Sequence, residues 1–163
     1  MLFGQRVTLR PAGAADLPEL VRIRATPQVA AQWGDDSPTA EELQDPGKEV
    51  FAVLLDGRIV GAIQWYEESD PEYRHAGIDI YLDPAVHGQG LGADAVRTMA
   101  RHLVTTKSFH RLVIDPAAAN AAAIRCYEKV GFRGVGVMRQ YWRDPAGVWR
   151  DGLLMDLLAD ELI

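Results

Sequence analysis

The sequence predicts one α/β or α+β domain built around a mixed sheet. Three observations carry that expectation. Short apolar runs with strand-like alternation occur early, centrally and near the C-terminus; stretches with helical spacing separate them; and Pro and Gly punctuate short elements throughout, with no internal repeat or low-complexity linker. At 163 residues, of which 48% are hydrophobic and 25% charged, the chain can bury a proper core as one domain, residues 1–163.

The elements follow in order. Gln5 to Arg10 alternates as a short strand. Ala14 to Thr26 places Leu17, Leu20, Val21 and Arg24 at helical spacing after Asp16, and Pro27 interrupts it. Gln28 to Gly47 is polar and Pro-containing and reads as a short helix and loop at a site rim. Val50 to Leu55 and Arg58 to Tyr66 are joined by Asp56-Gly57, the strongest hairpin signal in the chain. In Gly77 to Leu82 a period of two puts Ile78, Ile80 and Leu82 on one face and Asp79 and Tyr81 on the other. Leu91 to Val104 is an amphipathic helix, and Arg111 to Asp115 a strand. Asn120 suits the N-cap of a helix reaching about Lys129, with Gly131 at its C-terminal end. Two strands linked around Arg143 to Gly147 complete a fold with four helices at most.

Seventeen Lys and Arg against 23 Asp and Glu give a net charge of −6, which argues against nucleic acid or an anionic membrane as partner and favours a cationic small molecule. The single Cys126 forms no internal disulfide, and four scattered histidines offer no metal-ligand spacing, so no metal is expected. Without a signal-peptide pattern or an apolar run of about 18 residues, the cytoplasm is the expected location. A homodimer is the assembly that base rates favour.

The chemistry concentrates in His87-Gly88-Gln89-Gly90-Leu91-Gly92, between a strand and a helix. Glycines allow close backbone approach, and a helix start offers unsatisfied N–H donors and a positive dipole end, a combination suited to pyrophosphate. The spacing matches neither the dinucleotide fingerprint nor a P-loop, and a turn needed only for packing is the plain alternative.

The string Val86 to Gly92 resembles the acetyl-CoA signature of the GNAT superfamily, Arg/Gln-x-x-Gly-x-Gly/Ala, with His87 where Arg or Gln is usual. Asn120 to Phe132 resembles the later helix motif, Asn-x-x-Ala-x-x-x-Tyr-x-Lys-x-Gly-Phe. The resemblance covers nearly the whole chain. It implies the GNAT fold, a mixed, mostly antiparallel sheet splayed between its fourth and fifth strands and flanked by about four helices, with acetyl-CoA as acetyl donor. Ala31 to Gly34, Trp65 to Pro71, Gly77-Ile78-Asp79, Asp115-Pro116 and Ala123 to Lys129 are most similar to the aminoglycoside 6′-N-acetyltransferases. The implied function is acetyl transfer to the 6′-amine of an aminoglycoside. Other amines, or a non-catalytic acetyl-CoA-binding role, are the alternatives, because fold alone does not choose.

The resemblance places the cofactor on Tyr81, Leu82, His87, Gly88, Gln89, Gly90, Leu91, Gly92, Ala93, Asn120 and Tyr127. It makes Asp79 and Tyr127 catalytic, the first as base, directly or through water, and the second as donor to the departing thiolate. A backbone N–H near Tyr81 or Leu82 is the expected oxyanion donor. The substrate-binding candidates are Trp33, Asp35, Tyr66, Glu67, Glu68, Asp79, Asp115 and Asp151, with Trp65 as a further wall.

Structural readings stand beside these. A charge inside an apolar strand would cost several kcal/mol unpaired, so Asp79 is either functional or paired, as with an Arg. Loop carboxylates are usually just solvated. Tyr127 and the tryptophans fit a core as well, and Asn120 serves equally as a pure N-cap.

Overall fold

A computed structural model describes residues 1–34 and 39–163. Eight strands form one sheet: β1 (Leu2–Phe3), β2 (Val7–Pro11), β3 (Lys48–Leu55), β4 (Arg58–Glu68), β5 (His75–Leu82), β6 (Arg111–Ile114), β7 (Arg133–Arg143) and β8 (Trp149–Leu158). Their spatial order is β1-β2-β3-β4-β5-β6-β8-β7, and every pairing is antiparallel except β5 with β6. The α-helices among the described residues are α1 (Leu17–Arg24), α2 (Pro27–Trp33), α3 (Leu91–Thr105) and α4 (Ala121–Glu128).

Strand alternation divides the core between the two faces of the sheet. Ile63 and Ile78 pack with Val96, Met99 and Leu103 of α3, while Ala62 and Tyr81 pack with Leu20 and Ile23 of α1 and Val29 of α2. Each fully buried side chain of the Leu or Met kind contributes about 1.5–3 kcal/mol. The hairpin forms where Asp56 and Gly57 adopt φ of 50° and 78°, the twist a two-residue turn requires.

Three sequence expectations change in detail. Pro27 does not merely end a helix. It starts α2, at the position where its missing N–H costs nothing. The additional strand β1 raises the strand count by one, so the splay lies between the fifth and sixth strands. The hairpin strands extend outward to Lys48 and Glu68, because cross-strand pairing continues through polar residues.

A buried carboxylate ties α3 to the N-terminal turn. Asp94 accepts hydrogen bonds from the backbone N–H groups of Gln5 (2.8 Å), Arg6 (2.8 Å) and Val7 (3.0 Å). Gly4 allows this approach, since a β-carbon there would lie 2.7 Å from Oδ1 of Asp94. Among the described residues no helix is long and apolar enough to cross a membrane.

Candidate active site

Beyond β5 the chain makes a turn whose shape depends on glycine. Gly88 and Gly90 adopt φ of 77° and 78°, and a β-carbon on either would meet nothing within 4 Å. The backbone is therefore bare on the side facing open space, directly before the 15-residue helix α3. Bare N–H groups and the positive end of a helix dipole are the chemistry that suits an anion. Gly92 serves another purpose: a β-carbon there would come 3.1 Å from Sγ of Cys126, so α3 and α4 approach closely through it.

His87 folds back so that its Nε2 lies 2.9 Å from the carbonyl oxygen of Leu82. That oxygen can only accept, so Nε2 carries the proton and pins the turn to the strand end. Gln89 turns the other way. Its carbonyl accepts from Nη1 of Arg6 at 2.9 Å, and it lies outside the cleft that the glycines border.

That cleft, of about 430 Å³, runs from Gly88 and Gly90 past Leu91 and Ala93 to α4 and the end of β5. Asn120 lines it and caps α4, with Oδ1 accepting from the Ala123 N–H at 3.2 Å. Tyr127 is buried against Phe132 and also lines the cleft. Burial, with neighbouring acidic groups including Asp79 and Asp115, pushes its hydroxyl far above the ordinary tyrosine range, so it remains protonated. A larger cavity, about 710 Å³, lies elsewhere, beside Arg22, Arg58 and the hairpin end, and touches neither Asp79 nor Tyr127.

The cleft ends where the sheet opens. β5 and β6 pair only at Ala76 with Leu112 and Gly77 with Val113, yet β5 continues to Leu82. The Asp83 N–H bonds the Val60 carbonyl at 2.7 Å, so alternation directs the backbone groups of Tyr81 and Asp79 toward β4 and those of Leu82 and Ile80 into the splay. Of the two expected backbone donors, Leu82 N–H therefore faces the opening and Tyr81 N–H does not.

Two carboxylates stand on the strands that part at the splay, near enough for their charges to interact. Asp79 accepts from Nε2 of Gln64, its cross-strand partner, at 3.0 Å. Asp115, just beyond β6, accepts from the Tyr141 hydroxyl at 2.5 Å. Burial raises both above the ordinary carboxylate range, and the charge of Asp115 raises Asp79 further, against the Gln64 hydrogen bond. The Tyr66 ring lies across Gly77 and feels both carboxylates.

A smaller cavity of about 190 Å³ adjoins Asp79 and is bordered by Arg24, Trp33, Lys48, Gln64 and Tyr81. Trp33 and Tyr81 border the large cleft as well and stack edge to face at 5.1 Å. The buried Arg24 guanidinium lies 5.0 Å from the Trp33 ring centre and 5.6 Å from that of Tyr81.

Other candidates lie apart. Glu67 shares the opposite face of β4 from Gln64 and Tyr66 and pairs with Arg74 at 3.1 Å. Glu68 accepts from the Asp70 N–H at 3.2 Å, shaping the loop. Trp65 is not a site wall: it packs on Phe109 and donates to Glu49 at 2.7 Å. Asp151 accepts from the Gln140 N–H at 2.8 Å. Asp35 lies outside the described residues. Sequence reasoning missed Gln64, Arg24 and Tyr141. The hairpin register could have exposed Gln64, whereas Tyr141 reaches the site through an irregularity that leaves no sequence signal. Among the described residues, no group of three His, Cys, Asp or Glu side chains is placed to hold a metal.

Residues 6–133 match the family described as Acetyltransferase (GNAT) domain. Aminoglycoside N(6′)-acetyltransferase type 1 of Klebsiella pneumoniae is 30% identical over 155 residues, covering 81% of this chain and 76% of the relative. Among solved structures, Mycobacterium smegmatis RimJ in complex with CoA-disulfide superposes with a TM-score of 0.86 at 25% identity, covering 99% of this chain and 88% of that one. AAC(6′)-Ib in complex with Parmomycin and acetyl-CoA does so at 0.78 and 26%, covering 96% of each. A bare glycine turn before a long helix, a sheet splayed beside it and a match over most of the chain agree, and the protein belongs to the GNAT family of acetyl-CoA-dependent N-acetyltransferases.

Proposed function

We propose that the protein acetylates a primary amine of a polycationic small molecule, with the 6′-amine of an aminoglycoside as the favoured acceptor. The observation that carries this reading is the electrostatic coupling of two largely buried carboxylates, Asp79 on β5 and Asp115 just beyond β6, on the two strands that part at the splay. Two carboxylates in a partly buried opening suit an ammonium-rich ligand. The similarity to aminoglycoside 6′-N-acetyltransferases supports the same acceptor class.

Acetyl-CoA supplies the activated acyl thioester. Gly88, Gly90 and the start of α3 bind its pyrophosphate through backbone N–H groups, with Leu91, Ala93 and Asn120 along its path. A primary amine with a pKa of about 10.4 arrives protonated near neutrality and attacks only after losing that proton. Asp79 takes it, directly or through water, helped by the burial that raises its proton affinity. The Leu82 N–H is the fixed donor for an oxygen that gains charge during attack. Tyr127, protonated, donates to the departing sulfur. Tyr66, Trp33 and Asp115 border the acceptor side.

A second reading is a smaller single amine. The 190 Å³ cavity at Asp79, with Arg24 and Lys48 on its wall, suits one amino group better than several. Release of free CoA across a panel of aminoglycosides, polyamines and peptides separates the two. Turnover confined to peptides or simple amines would overturn the aminoglycoside assignment.

A further inference from the structure

Strand β7 departs from regular pairing opposite Asp151. Met138 pairs with Gly152 and Trp142 with Arg150, so three residues, Arg139 to Tyr141, face the single residue between. Gln140 there adopts φ of 49°, the left-handed region that is costly for a non-glycine residue. The Asp151 carboxylate offsets that cost by accepting the Gln140 N–H at 2.8 Å.

The irregularity changes which way the next side chain points. In an unbroken strand, residues three apart lie on opposite faces. Here Met138 and Tyr141 meet the same side of β8: a β-carbon on Gly152 would lie 3.3 Å from Cε of Met138 and 2.8 Å from Cδ2 of Tyr141. Tyr141 thereby reaches Asp115 with its hydroxyl. The backbone of Asp151 also holds the other partner, because its carbonyl accepts from Ala118 N–H at 2.9 Å, and Leu153 N–H bonds Pro116 at 2.9 Å. One residue thus anchors both the bulge carrying Tyr141 and the loop following Asp115.

We propose that Asp151 is a positioning residue for acceptor recognition, setting the Tyr141–Asp115 pair as the subsite for a second ammonium group of a polycationic amine. Tyr141 and the residue's own backbone N–H use part of the roughly four lone-pair directions of the Asp115 carboxylate, and the remainder face the ammonium. The Tyr141 side is 48% exposed and offers its ring to the carbon skeleton or charge of the acceptor. The bulge therefore serves specificity, in a strand whose pairing would not otherwise need it. This assignment rests on the amine-acetyltransferase reading above.

The test compares Asp151→Ala, Asp151→Asn and the double variant Asp151→Ala with Gln140→Gly. Acceptor KM is measured for the best amine of the panel, and Tyr141 is titrated by NMR with labelled tyrosine. Asp151→Ala should raise acceptor KM about tenfold, the loss expected for one hydrogen bond, with acetyl-CoA KM unchanged. It should also shift the Tyr141 titration, which the Asp115 bond holds near 12. Asn keeps a carbonyl acceptor, and glycine adopts the left-handed conformation unaided, so the other two variants should restore both readouts. A KM defect that persists in Asp151→Asn while Tyr141 titrates normally would show direct contact with the acceptor and overturn the positioning role. Unchanged KM and titration in Asp151→Ala would overturn it too. If no panel amine is acetylated, the functional reading fails on its own, and an unchanged Tyr141 titration in Asp151→Ala separately overturns the present assignment.

Discussion

The hydroxyl end of the Tyr66 ring lies against the backbone of Gly77, its partner on the neighbouring strand, so closely that no β-carbon fits there. This packing occurs at the last paired residue before β5 leaves β6, and so at the mouth of the splay. An aromatic wall is thereby held over the acidic opening by the absence of a side chain.

Gly77→Ala should displace Tyr66 and cost about 1–3 kcal/mol, the usual penalty for overpacking. Urea unfolding measures the loss. Acceptor KM should rise while acetyl-CoA affinity, read by calorimetry, is retained.

Asp79→Asn should lower turnover by about 10²–10⁴-fold, the range for losing a general base. Binding of CoA should be nearly intact. In the wild type, kcat/KM should increase with pH as Asp79 loses its proton, at a pH above the ordinary carboxylate range because burial raises its proton affinity. A pH–rate profile that keeps this limb in the variant would assign the base elsewhere.

The same burial has a stability consequence of definite sign. Asp79 and Asp115 hold protons more tightly folded than unfolded, so their contribution to stability falls as pH rises from the unfolded value through the raised folded one. Neutral amides relieve the buried charge. Asp115→Asn should raise the melting midpoint at pH 7 by about 2–4 °C, the shift that about 1 kcal/mol produces in a domain of this size. The gain should vanish in acid, where the wild-type carboxyl is itself protonated. Differential scanning calorimetry at both pH values checks it.

Asp94 has the opposite sign. Burial raises its pKa, but the backbone N–H donors of Arg6, Gln5 and Val7 outweigh that and lower it overall. Its stabilisation is present above the unfolded carboxylate value and is lost as pH falls through the depressed folded one. Asp94→Ala should cost about 1–3 kcal/mol at neutral pH through unsatisfied backbone donors. Denaturation at pH 7 that matches the wild type would contradict this role.

Tyr127→Phe should slow turnover about 10²-fold, the lower end of acid catalysis, without weakening CoA binding. Gly90→Val, by contrast, should weaken that binding by about 10–100-fold, because valine at a φ of 78° is strained by about 1–3 kcal/mol and the turn must rearrange. Undiminished affinity by calorimetry would move the pyrophosphate away from this turn.

Much of the molecule was legible in the chain itself. Apolar periodicity located α3 and β5, Asp56-Gly57 located the hairpin, and Asn120 marked the start of α4, because each of these depends on neighbours in sequence. The glycine turn was legible for the same reason. The parity of β4 sends Glu67 to the face opposite Gln64, onto Arg74.

Local sequence carries the order of elements, the glycine turn before α3 and the identity of Asp79 as a charge inside an apolar strand. Tertiary structure decided which residues surround that charge. Gln64 meets Asp79 through hairpin register, Asp115 joins it because β5 and β6 separate after two paired residues, and Tyr141 arrives because a bulge reverses the side to which β7 points. Register, splay and bulge are relations between distant segments, set by packing and backbone hydrogen bonding, and local periodicity carries no trace of them.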